Sequence, residues 1–365
     1  MSATAGAGRL DILAFPRYGR AAPSSRYRML QYVPLLRAEG IDVEVSPLLG
    51  DWYVERMFAG EPPAPARMVA AFLHRMRQTL CRRNADLVWI EKELLPYLPW
   101  PLERLLLGGR RVVLDLDDSQ FHRYDEHRSR PVRGLLGDKI DRGMAAARIV
   151  TCGSPYIAER AQRAGARQVI DLPTAIDLDR YPARPTPENP GRDEFVVGWI
   201  GTPGNTRYLA EIAEPLRRFA AEAPLRIILI GGRPGALPGL PVEYRQWSEA
   251  AEIELLQEID VGIMPLPDLP WERGKCGLKL LQYMASWKPA IASPVGVNSI
   301  VVEEGVSGFL ARNTEEWLAA LRRLHADPAL RQSMGVAGRA RVAKAYSLDV
   351  LAPRLARLLR DAAEQ

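Results

Sequence analysis

Short apolar runs alternate with amphipathic segments along almost the entire chain. Six runs in each half are rich in Val, Ile and Leu and end at glycine or polar residues, a pattern typical of buried β-strands. Segments between them repeat apolar residues at three- and four-residue steps, which predicts helices. This alternation predicts an α/β fold, with parallel sheets covered by helices on both faces. The predicted strands are RLDILAF, IDVEVSP, DLVWIE, RRVVLDLD, RIVTCG and QVIDLPT, then EFVVGWIG, LRIILIGG, VEYRQW, DVGIMPL, KPAIASP and GFLAR.

A proline-rich segment, YPARPTPENPGRD, interrupts the alternation near the middle of the chain. Proline at this density is typical of a stiff, extended linker. We therefore predict two doubly wound, Rossmann-like domains that face each other across a cleft, at residues 1–182 and 194–346, with a linker at 183–193. The tail is helical and ends in a predicted helix at 348–363.

The composition is that of a globular protein without a membrane span. Of 365 residues, 47% are hydrophobic and 25% charged, and no apolar run reaches the roughly 18 residues that a span requires. The first residues lack the layout of a secretory signal, and three cysteines without close spacing suit a reducing compartment, so we expect a cytoplasmic protein. Four scattered histidines predict no metal site, and we expect no nucleic-acid partner.

One segment concentrates basic charge. Residues 1–182 hold 27 Lys and Arg against 22 Asp and Glu, which accounts for the net charge of +5, and RMVAAFLHRMRQTLCRRN at 67–84 has five arginines and no acid. We expect the apolar face of this helix to dock on the core and its basic face to be solvated. The alternative is a basic face that meets phosphates or the inner face of the membrane as a peripheral contact. The apolar residues are Val69, Phe72, Leu73, Met76 and Leu80.

A glycine-rich loop lies between a strand and a helix in GWIGTPGNTRYLAEI, with glycines at 198, 201 and 204. Such a loop lets backbone N–H groups approach a phosphate at the positive end of the helix dipole, although a plain tight turn would look the same. A dinucleotide site would also need a carboxylate at the end of the next strand, which ends instead in Gly231, Gly232 and Arg233. A Rossmann dehydrogenase is therefore the weakest of the functions considered.

Polar residues form a stripe in the otherwise apolar segment GKCGLKLLQYMASW. Lys275, Lys279, Gln282 and Ser286 stand at offsets 0, 4, 7 and 11, which would place them on one helix face. Buried lysines without acids beside them are costly unless an anion is bound. The stripe is either a solvated outer face or, as we predict, the cationic wall of a diphosphate pocket that includes the backbone at Gly277.

From GWIGTPGNTRYL to GVSGFLARNTEEW, the second half resembles the donor-binding domain of the family 4 (group 1) retaining glycosyltransferases, best over residues 195–345. The resemblance implies the GT-B fold, a nucleotide-diphosphate sugar held mainly by the second domain, and no metal or other cofactor. It also implies that residues 1–182 serve the acceptor and that the helix at 348–363 packs back on them.

The resemblance implies where the diphosphate binds. Two cations that the family places after the first strand of this domain correspond here to Thr202 and Arg207, beside the backbone of Gly201. One cation is therefore missing, and Lys275 with Lys279 would supply it.

The family's two characteristic glutamates correspond here to Gly274 and Gln282. The Gln282 amide can both donate to and accept from ribose hydroxyls, and Glu272 could replace the acid that contacts the donor sugar. Three further residues are candidates for ribose and base contacts, although core packing is an alternative for the first of them. They are Trp247, Val297 and Asn298.

Candidate acceptor residues follow two strands of the first domain. VVLDLDDSQFH places Asp117, Asp118 and His122 where a carboxylate or imidazole could orient or deprotonate an acceptor hydroxyl, although helix capping is an alternative for the acids. The loop YGRAAPSSRYR provides candidate acceptor-binding residues, or else a helix cap with surface arginines. They are Ser25, Arg26 and Arg28.

These features together predict a retaining glycosyltransferase that moves a sugar from a nucleotide-diphosphate donor to a hydroxyl of a glycan, a lipid-linked glycan or a small molecule. No carboxylate stands out as a nucleophile, so the predicted mechanism is front-face transfer within an ion pair. The alternatives are a GT-B sugar-nucleotide epimerase and a non-catalytic nucleotide-sugar-binding relative that lacks both glutamates.

Overall fold

The computed structural model describes residues 9–82, 84–185 and 192–364. The chain divides into two compact units, of which the first comprises Met1–Ala175 and Leu348–Gln365 and the second Ile176–Ser347. The C-terminal segment thus belongs to the first unit. Within the predicted linker at 183–193, residues 186–191 lie outside the described part of the chain.

The first unit is built on a parallel sheet of six strands, in the order β2-β1-β3-β4-β5-β6. These are β1 (Leu10–Phe15), β2 (Ile41–Val45), β3 (Leu87–Glu91), β4 (Val112–Leu116), β5 (Ile149–Cys152) and β6 (Val169–Asp171). All residues of β3 and β5 are buried, as expected for strands with helices on both faces. The order reverses between β1 and β3, so the carboxyl ends of these two strands flank the point where ligands bind in open α/β sheets.

The helices of the first unit cover both faces of this sheet. They are α1 (Pro23–Arg28), α2 (Val33–Ala38), α3 (Asp51–Phe58), α4 (Pro65–Cys81), α5 (Trp100–Leu107), α6 (His122–Asp125), α7 (Arg130–Leu136), α8 (Lys139–Ala146) and α9 (Pro155–Arg163), with a 3₁₀-helix at Leu30–Tyr32. A long helix from the end of the chain, Leu348–Glu364, packs in the same core and is called α17 below. Its residues Leu355 and Leu359 are fully buried in a cluster with Ile12 and Trp89 of the sheet.

The second unit repeats this plan with the strand order β12-β11-β10-β7-β8-β9, again all parallel. Its strands are β7 (Phe195–Ile200), β8 (Leu225–Ile230), β9 (Val242–Arg245), β10 (Val261–Met264), β11 (Ala290–Ala292) and β12 (Gly308–Leu310). Its helices are α10 (Ala213–Ala220), α11 (Glu252–Gln257), α12 (Pro270–Arg273), α13 (Leu278–Ala285), α14 (Asn298–Val301), α15 (Thr314–Ala326) and α16 (Pro328–Ala345), with 3₁₀-helices at Leu178–Arg180 and Pro203–Ile212. The predicted fold class of two Rossmann-like α/β domains is confirmed. Here the order reverses between β7 and β10.

The prediction for the basic helix α4 is wrong about which face docks on the core. Val69, Leu73 and Leu80 are 61%, 60% and 41% exposed, whereas Arg75 is 1% exposed and Thr79 is fully buried. The Arg75 guanidinium, and not the apolar face, is buried against the core, where it donates to carbonyls that follow the strands. These carbonyls would be costly to bury without a hydrogen-bond donor. None of the described helices combines the length and the apolar character needed to cross a bilayer.

Candidate functional sites

The carboxyl end of β7 lies at the switch point of the second sheet and leads directly into the glycine loop. Gly201 N–H donates to the carbonyl of Ile230 at the end of the adjacent strand β8. A Cβ added at Gly201 would lie only 2.6 Å from the Trp199 ring, so this position is closed to larger residues. The helix predicted after this loop is present and is a 3₁₀-helix, Pro203–Ile212.

Tyr283 positions helix α13 beside this loop. Its ring packs where a Cβ on Gly262 of β10 would stand, and its hydroxyl lies 3.2 Å from both the Ile200 amide and the Ile263 carbonyl. The hydroxyl therefore ties the helix to β7 and β10, the two strands that flank the switch point. Lys279, one turn earlier on α13, consequently extends toward the glycine loop.

The glycine loop and the lysine segment meet in space. Lys279 Nζ lies 2.8 Å from the position of a Cβ on Gly201 and 4.8 Å from the centre of the Trp199 ring. Lys275 Nζ lies 5.7 Å from the centre of the Tyr208 ring, which belongs to the segment that follows the glycine loop. Both lysines are half-buried. Two ammonium groups therefore lie near the loop in which phosphate binding is predicted.

The predicted four-residue stripe is wrong at its first member. Helix α13 begins at Leu278 after Gly277, so Lys275 lies in the preceding turn and not on the helix face. Gln282 and Ser286 continue the face that carries Lys279, but both are buried, at 3% and 0% exposure. This face of the helix is thus half-buried at Lys279 and inaccessible to solvent at Gln282 and Ser286.

Arg207, Tyr208 and Glu272 form a hydrogen-bonded cluster next to Lys275. The Tyr208 hydroxyl donates to Glu272 Oε1 at 2.5 Å, and Arg207 Nη2 lies 3.1 Å from the Tyr208 oxygen and 3.5 Å from Glu272 Oε1. Burial, followed by the hydrogen bond to Glu272, raises the pKa of Tyr208 to about 12. Glu272 is 3% exposed and accepts the hydrogen bond that holds Tyr208 in place. It therefore stabilises this cluster, whereas a contact with the donor sugar was predicted for it.

The remaining predicted donor residues lie on loops of the second unit. Gly277 has a φ of 69°, and a Cβ there would lie 3.1 Å from Val297 Cγ2, so the loop of Val297 packs on the start of α13. Asn298 is fully buried and donates through Nδ2 to the Ser293 carbonyl, which orders that loop. Trp247 is half-buried on the loop after the edge strand β9 and donates through Nε1 to Glu252.

In the first unit, a group of charged side chains gathers at the switch point between β1 and β3. Lys92 Nζ lies 3.0 Å from Asp117 Oδ1 and 3.3 Å from Asp118 Oδ2. The Ser24 hydroxyl lies 2.5 Å from Asp117 Oδ2 and 2.6 Å from Glu91 Oε1. The two predicted aspartates are thus brought together with Ser24 of α1, Glu91 at the end of β3 and Lys92 directly after it.

Burial and the charge of Lys92 determine which side chains of this cluster are ionised. Burial opposes the charged form of Asp117, but Lys92 and the Ser24 hydroxyl outweigh it and lower the pKa of this carboxyl. Burial also disfavours the charge on Lys92, yet Asp117, Asp118 and Glu91 together raise the pKa of the ammonium well above its ordinary value. For Glu91 burial dominates and raises the pKa of the carboxyl. Asp117 is therefore an anion, held by a cationic lysine.

Glu91, Lys92 and Glu93 were not among the residues predicted from the sequence. Glu93 accepts from Arg17 Nη1 and Lys139 Nζ at 2.8 and 2.6 Å, and these two cations outweigh burial and lower the pKa of Glu93 to about 2. The available signal was the sequence WIEKEL, in which an apolar strand ends in Glu91 and two further charges, Lys92 and Glu93, follow directly. Lys92 also has a φ of 66°, which L-residues rarely adopt.

The three predicted acceptor-binding residues of the first loop are interior residues. Arg28 forms a two-pronged ion pair with Asp115, through Nε at 2.9 Å and Nη2 at 2.6 Å, and it is 3% exposed. Ser25 is fully buried and donates to Glu91 Oε2 at 2.5 Å. Arg26 is 1% exposed, with its guanidinium 5.0 Å from the Tyr27 ring centre. These side chains support the loop and are not placed to contact an acceptor.

His122 belongs to a different group of residues. Its Nδ1 lies 2.9 Å from Asp125 and 3.3 Å from Glu126, and its Nε2 lies 2.9 Å from the Tyr156 hydroxyl. The sequence predicted no metal-ligand cluster, yet potential ligand atoms of His122, Asp125 and Glu126 lie within 4.8 Å of one another. Helical spacing explains this grouping, since residues three and four apart share a face. Asp125 is also paired with Arg160, so hydrogen bonds and an ion pair explain why these side chains lie together, without a metal ion.

The two parallel sheets and their order define the GT-B glycosyltransferase fold. Similar structures include sucrose-phosphate synthase from Thermosynechococcus elongatus, with a TM-score of 0.70 and 17% identity over 97% of this chain and 99% of that one. A glycosyltransferase from Rickettsia africae ESF-5 also has a TM-score of 0.70, with 12% identity over 98% and 99% of the two chains. HepE from Anabaena, in complex with UDP and glucose, has a TM-score of 0.64 and 16% identity over 96% and 100%.

Residues 194–327 match the model of the family described as group 1 glycosyl transferases. The second unit is therefore similar to this family over residues 194–327, in agreement with the group 1 resemblance seen in the sequence. No curated protein sequence matches the chain. The matched range contains both the glycine loop and the lysine segment.

Proposed function

We propose that the protein is a retaining glycosyltransferase that moves a sugar from a nucleotide-diphosphate donor to a hydroxyl acceptor. The observation that carries the proposal is the approach of Lys279 to Gly201 inside the segment that matches group 1 glycosyl transferases. A half-buried ammonium group beside a tight glycine loop is suited to a diphosphate, which has charge to neutralise and oxygens that accept hydrogen bonds.

The donor is proposed to lie against the glycine loop and α13. Lys279 and Lys275 would neutralise the diphosphate, with Arg207 at the exposed rim, where its side chain is 68% exposed. The positive charge that group 1 enzymes need at the leaving group would thus come from side chains and not from a metal ion. The resemblance implies a ribose contact for Gln282, but this side chain is 3% exposed, so we do not include it in the proposed donor site. HepE was solved with UDP, which makes UDP a suitable first probe.

The reaction breaks the bond between the anomeric carbon and the β-phosphate oxygen. The bonding electrons stay with that oxygen, so charge grows on the diphosphate, where the lysines lower the barrier. The acceptor oxygen then bonds to the anomeric carbon and its proton leaves for a base. We propose that Asp117 or Asp118 orients the hydroxyl or receives this proton. Lys92 and the Ser24 hydroxyl keep Asp117 ionised, so its carboxylate is in the form that accepts a hydrogen bond from the acceptor. Retention is proposed to follow from attack on the same face that the diphosphate leaves.

A specific observation favours a second candidate, a non-catalytic nucleotide-sugar-binding protein. The family's two glutamates correspond to Gly274 and Gln282, and the nearby Glu272 is buried against Tyr208. No carboxylate in these three places is free to contact a donor sugar. Such a protein would bind the donor without transferring its sugar.

The test is a donor panel followed by an acceptor assay. Purified protein is titrated with UDP-, GDP-, ADP- and dTDP-sugars by isothermal calorimetry, and the best donor is then incubated with cell extract while diphosphate release is followed. Transfer with an unchanged anomeric configuration, read by NMR of the product, supports the proposal. Binding of a donor without release or transfer supports the second candidate, and binding of NADH without any nucleotide sugar contradicts both.

A further inference from the structure

Helix α4 presents an apolar stripe to solvent. Val69, Leu73, Met76 and Leu80 follow spacings of four, three and four residues, so they share one side of the helix over about 17 Å. Val69, Leu73 and Leu80 are 61%, 60% and 41% exposed, and Met76 is half-buried. A continuous row of this kind differs from the single exposed apolar residues found on most surfaces.

Arg75 fixes this outward orientation. Its guanidinium donates to the carbonyls of Pro16, Ser46 and Leu94, which follow β1, β2 and β3, and it lies 4.3 Å from the ring centre of Phe15. The helix could not turn its apolar stripe inward without withdrawing this buried cation from all three carbonyls. The exposed stripe is therefore a property of the folded first unit, not the result of a loosely placed helix.

The surroundings of the stripe are basic. Residues 62–85 contain five arginines and no Asp or Glu; one of the five, Arg83, lies outside the described residues. Arg67 and Arg77 are exposed on the solvent side of α4, whereas Arg82 is paired with Glu44 at 3.0 Å. Arg67 lies 5.8 Å from the ring centre of Trp52, which is half-buried. Tryptophan is enriched where proteins meet membrane interfaces.

We propose that α4 is a docking surface for an anionic lipid bilayer. A helix that lies in the interface needs an apolar side that sinks about 5–10 Å below the headgroups, with arginines at the edge that contact lipid phosphates. The α4 surface has both, in a chain whose excess of positive charge lies in this half. The charge selects an anionic membrane over a second copy of this chain, because two copies would bring like charges together. This binding does not depend on which reaction the protein catalyses.

The experiment compares the full chain with a variant carrying Val69→Ser, Leu73→Ser and Leu80→Ser, in flotation with vesicles. One vesicle is phosphatidylcholine alone and the other contains phosphatidylglycerol. A matched control changes three exposed apolar residues on other helices, Leu135→Ser, Val336→Ser and Val350→Ser, which are 65%, 47% and 44% exposed. We expect at least about tenfold preference of the wild type for the anionic vesicles, about tenfold weaker binding of the α4 variant, and an unchanged control.

Three results would overturn the proposal. They are wild-type binding no stronger to anionic than to neutral vesicles, equal loss in the α4 and control variants, and a dimer in light scattering that only the α4 variant abolishes. The last result would assign the stripe to a second copy. As a charge test, Arg67→Gln with Arg77→Gln should weaken anionic binding several-fold, and raising the salt concentration should weaken wild-type binding. Insensitivity to both would exclude lipid phosphates as the partner.

Discussion

Replacement of Lys279 by Met tests whether a diphosphate binds between the glycine loop and the start of α13. Methionine keeps the length and flexibility of the side chain but removes the ammonium group, which lies 2.8 Å from the position of a Cβ on Gly201. The apolar stem beside the Trp199 ring should remain, so the expected loss is electrostatic. We therefore expect weaker binding of nucleoside diphosphates with little change in the melting temperature.

The magnitude follows from the half-buried position of the lysine. A unit charge about 4 Å from a phosphate oxygen gains roughly 4 kcal/mol at an effective dielectric constant near 20, before the loss of hydration is counted. Charged hydrogen bonds measured in proteins contribute about 1.5–3 kcal/mol net. A value of about 2 kcal/mol corresponds to an increase of about 30-fold in the dissociation constant for UDP.

The assay is calorimetric titration of wild type and variant with UDP and with uridine. Uridine lacks the diphosphate, so its affinity should be nearly unchanged, and the difference between the two ligands isolates the phosphate contribution. Lys344→Met is the matched control, because Lys344 is an exposed lysine on α16 of the same unit. Its effect on UDP should be less than about twofold.

Two results would refute this reasoning. If Lys279→Met weakens UDP and uridine equally, the lysine supports the shape of the site and does not neutralise phosphate. If its effect on the UDP dissociation constant matches that of Lys344→Met, the diphosphate does not bind beside Lys279.

Further substitutions test other parts of the structure. Asp117→Asn should lower the transfer rate by about 100-fold or more and leave the UDP dissociation constant unchanged; an unchanged rate would exclude Asp117 as the base. Glu103 is a buried residue of α5 that accepts from the Leu95 N–H and lies 3.1 Å from Lys139 Nζ. Burial outweighs these partners and raises the pKa of Glu103 to about 7 from an ordinary 4.5. The folded state therefore keeps a proton that the unfolded chain releases, and stability falls as the pH rises from 4.5 to 7. Glu103→Gln should remove this loss, so the free energy of unfolding of the variant, measured in urea, should rise relative to that of the wild type by up to about 3 kcal/mol between pH 4.5 and 8. A difference between variant and wild type that does not change with pH would contradict this prediction. Leu355→Ala in α17 should destabilise the first unit by about 2–5 kcal/mol in urea unfolding, and a loss below about 1 kcal/mol would mean that the helix is only loosely attached.

Local patterns in the sequence determined the strands and the class of fold. Each strand is a short apolar run with polar or glycine boundaries, and this information is contained in the run itself. The glycine loop was also readable, because Gly201 follows such a run directly. The pairing of that loop with Lys279 was anticipated through the family resemblance, and it depends on β10 lying beside β7.

Only the tertiary structure identified the charged group of the first unit. Ser24, Glu91 and Asp117 stand far apart in the chain, and the strand order β2-β1-β3-β4 brings them to one edge of the sheet. Read along the sequence, a run such as Glu91 to Glu93 resembles a solvated loop, because charge alone does not reveal burial. Its partners Arg17 and Lys139 become visible only when β1, β3 and α8 are placed together.

The helix α4 separates the two kinds of information most clearly. The sequence by itself predicted a helix within residues 67–84 with an apolar side and several arginines, since periodicity is local. It could not determine which side is buried, because the decision depends on carbonyl groups contributed by three different strand ends. Those carbonyls meet at Arg75 only in the folded sheet, and a buried cation with three hydrogen-bond acceptors turned the apolar side of the helix outward.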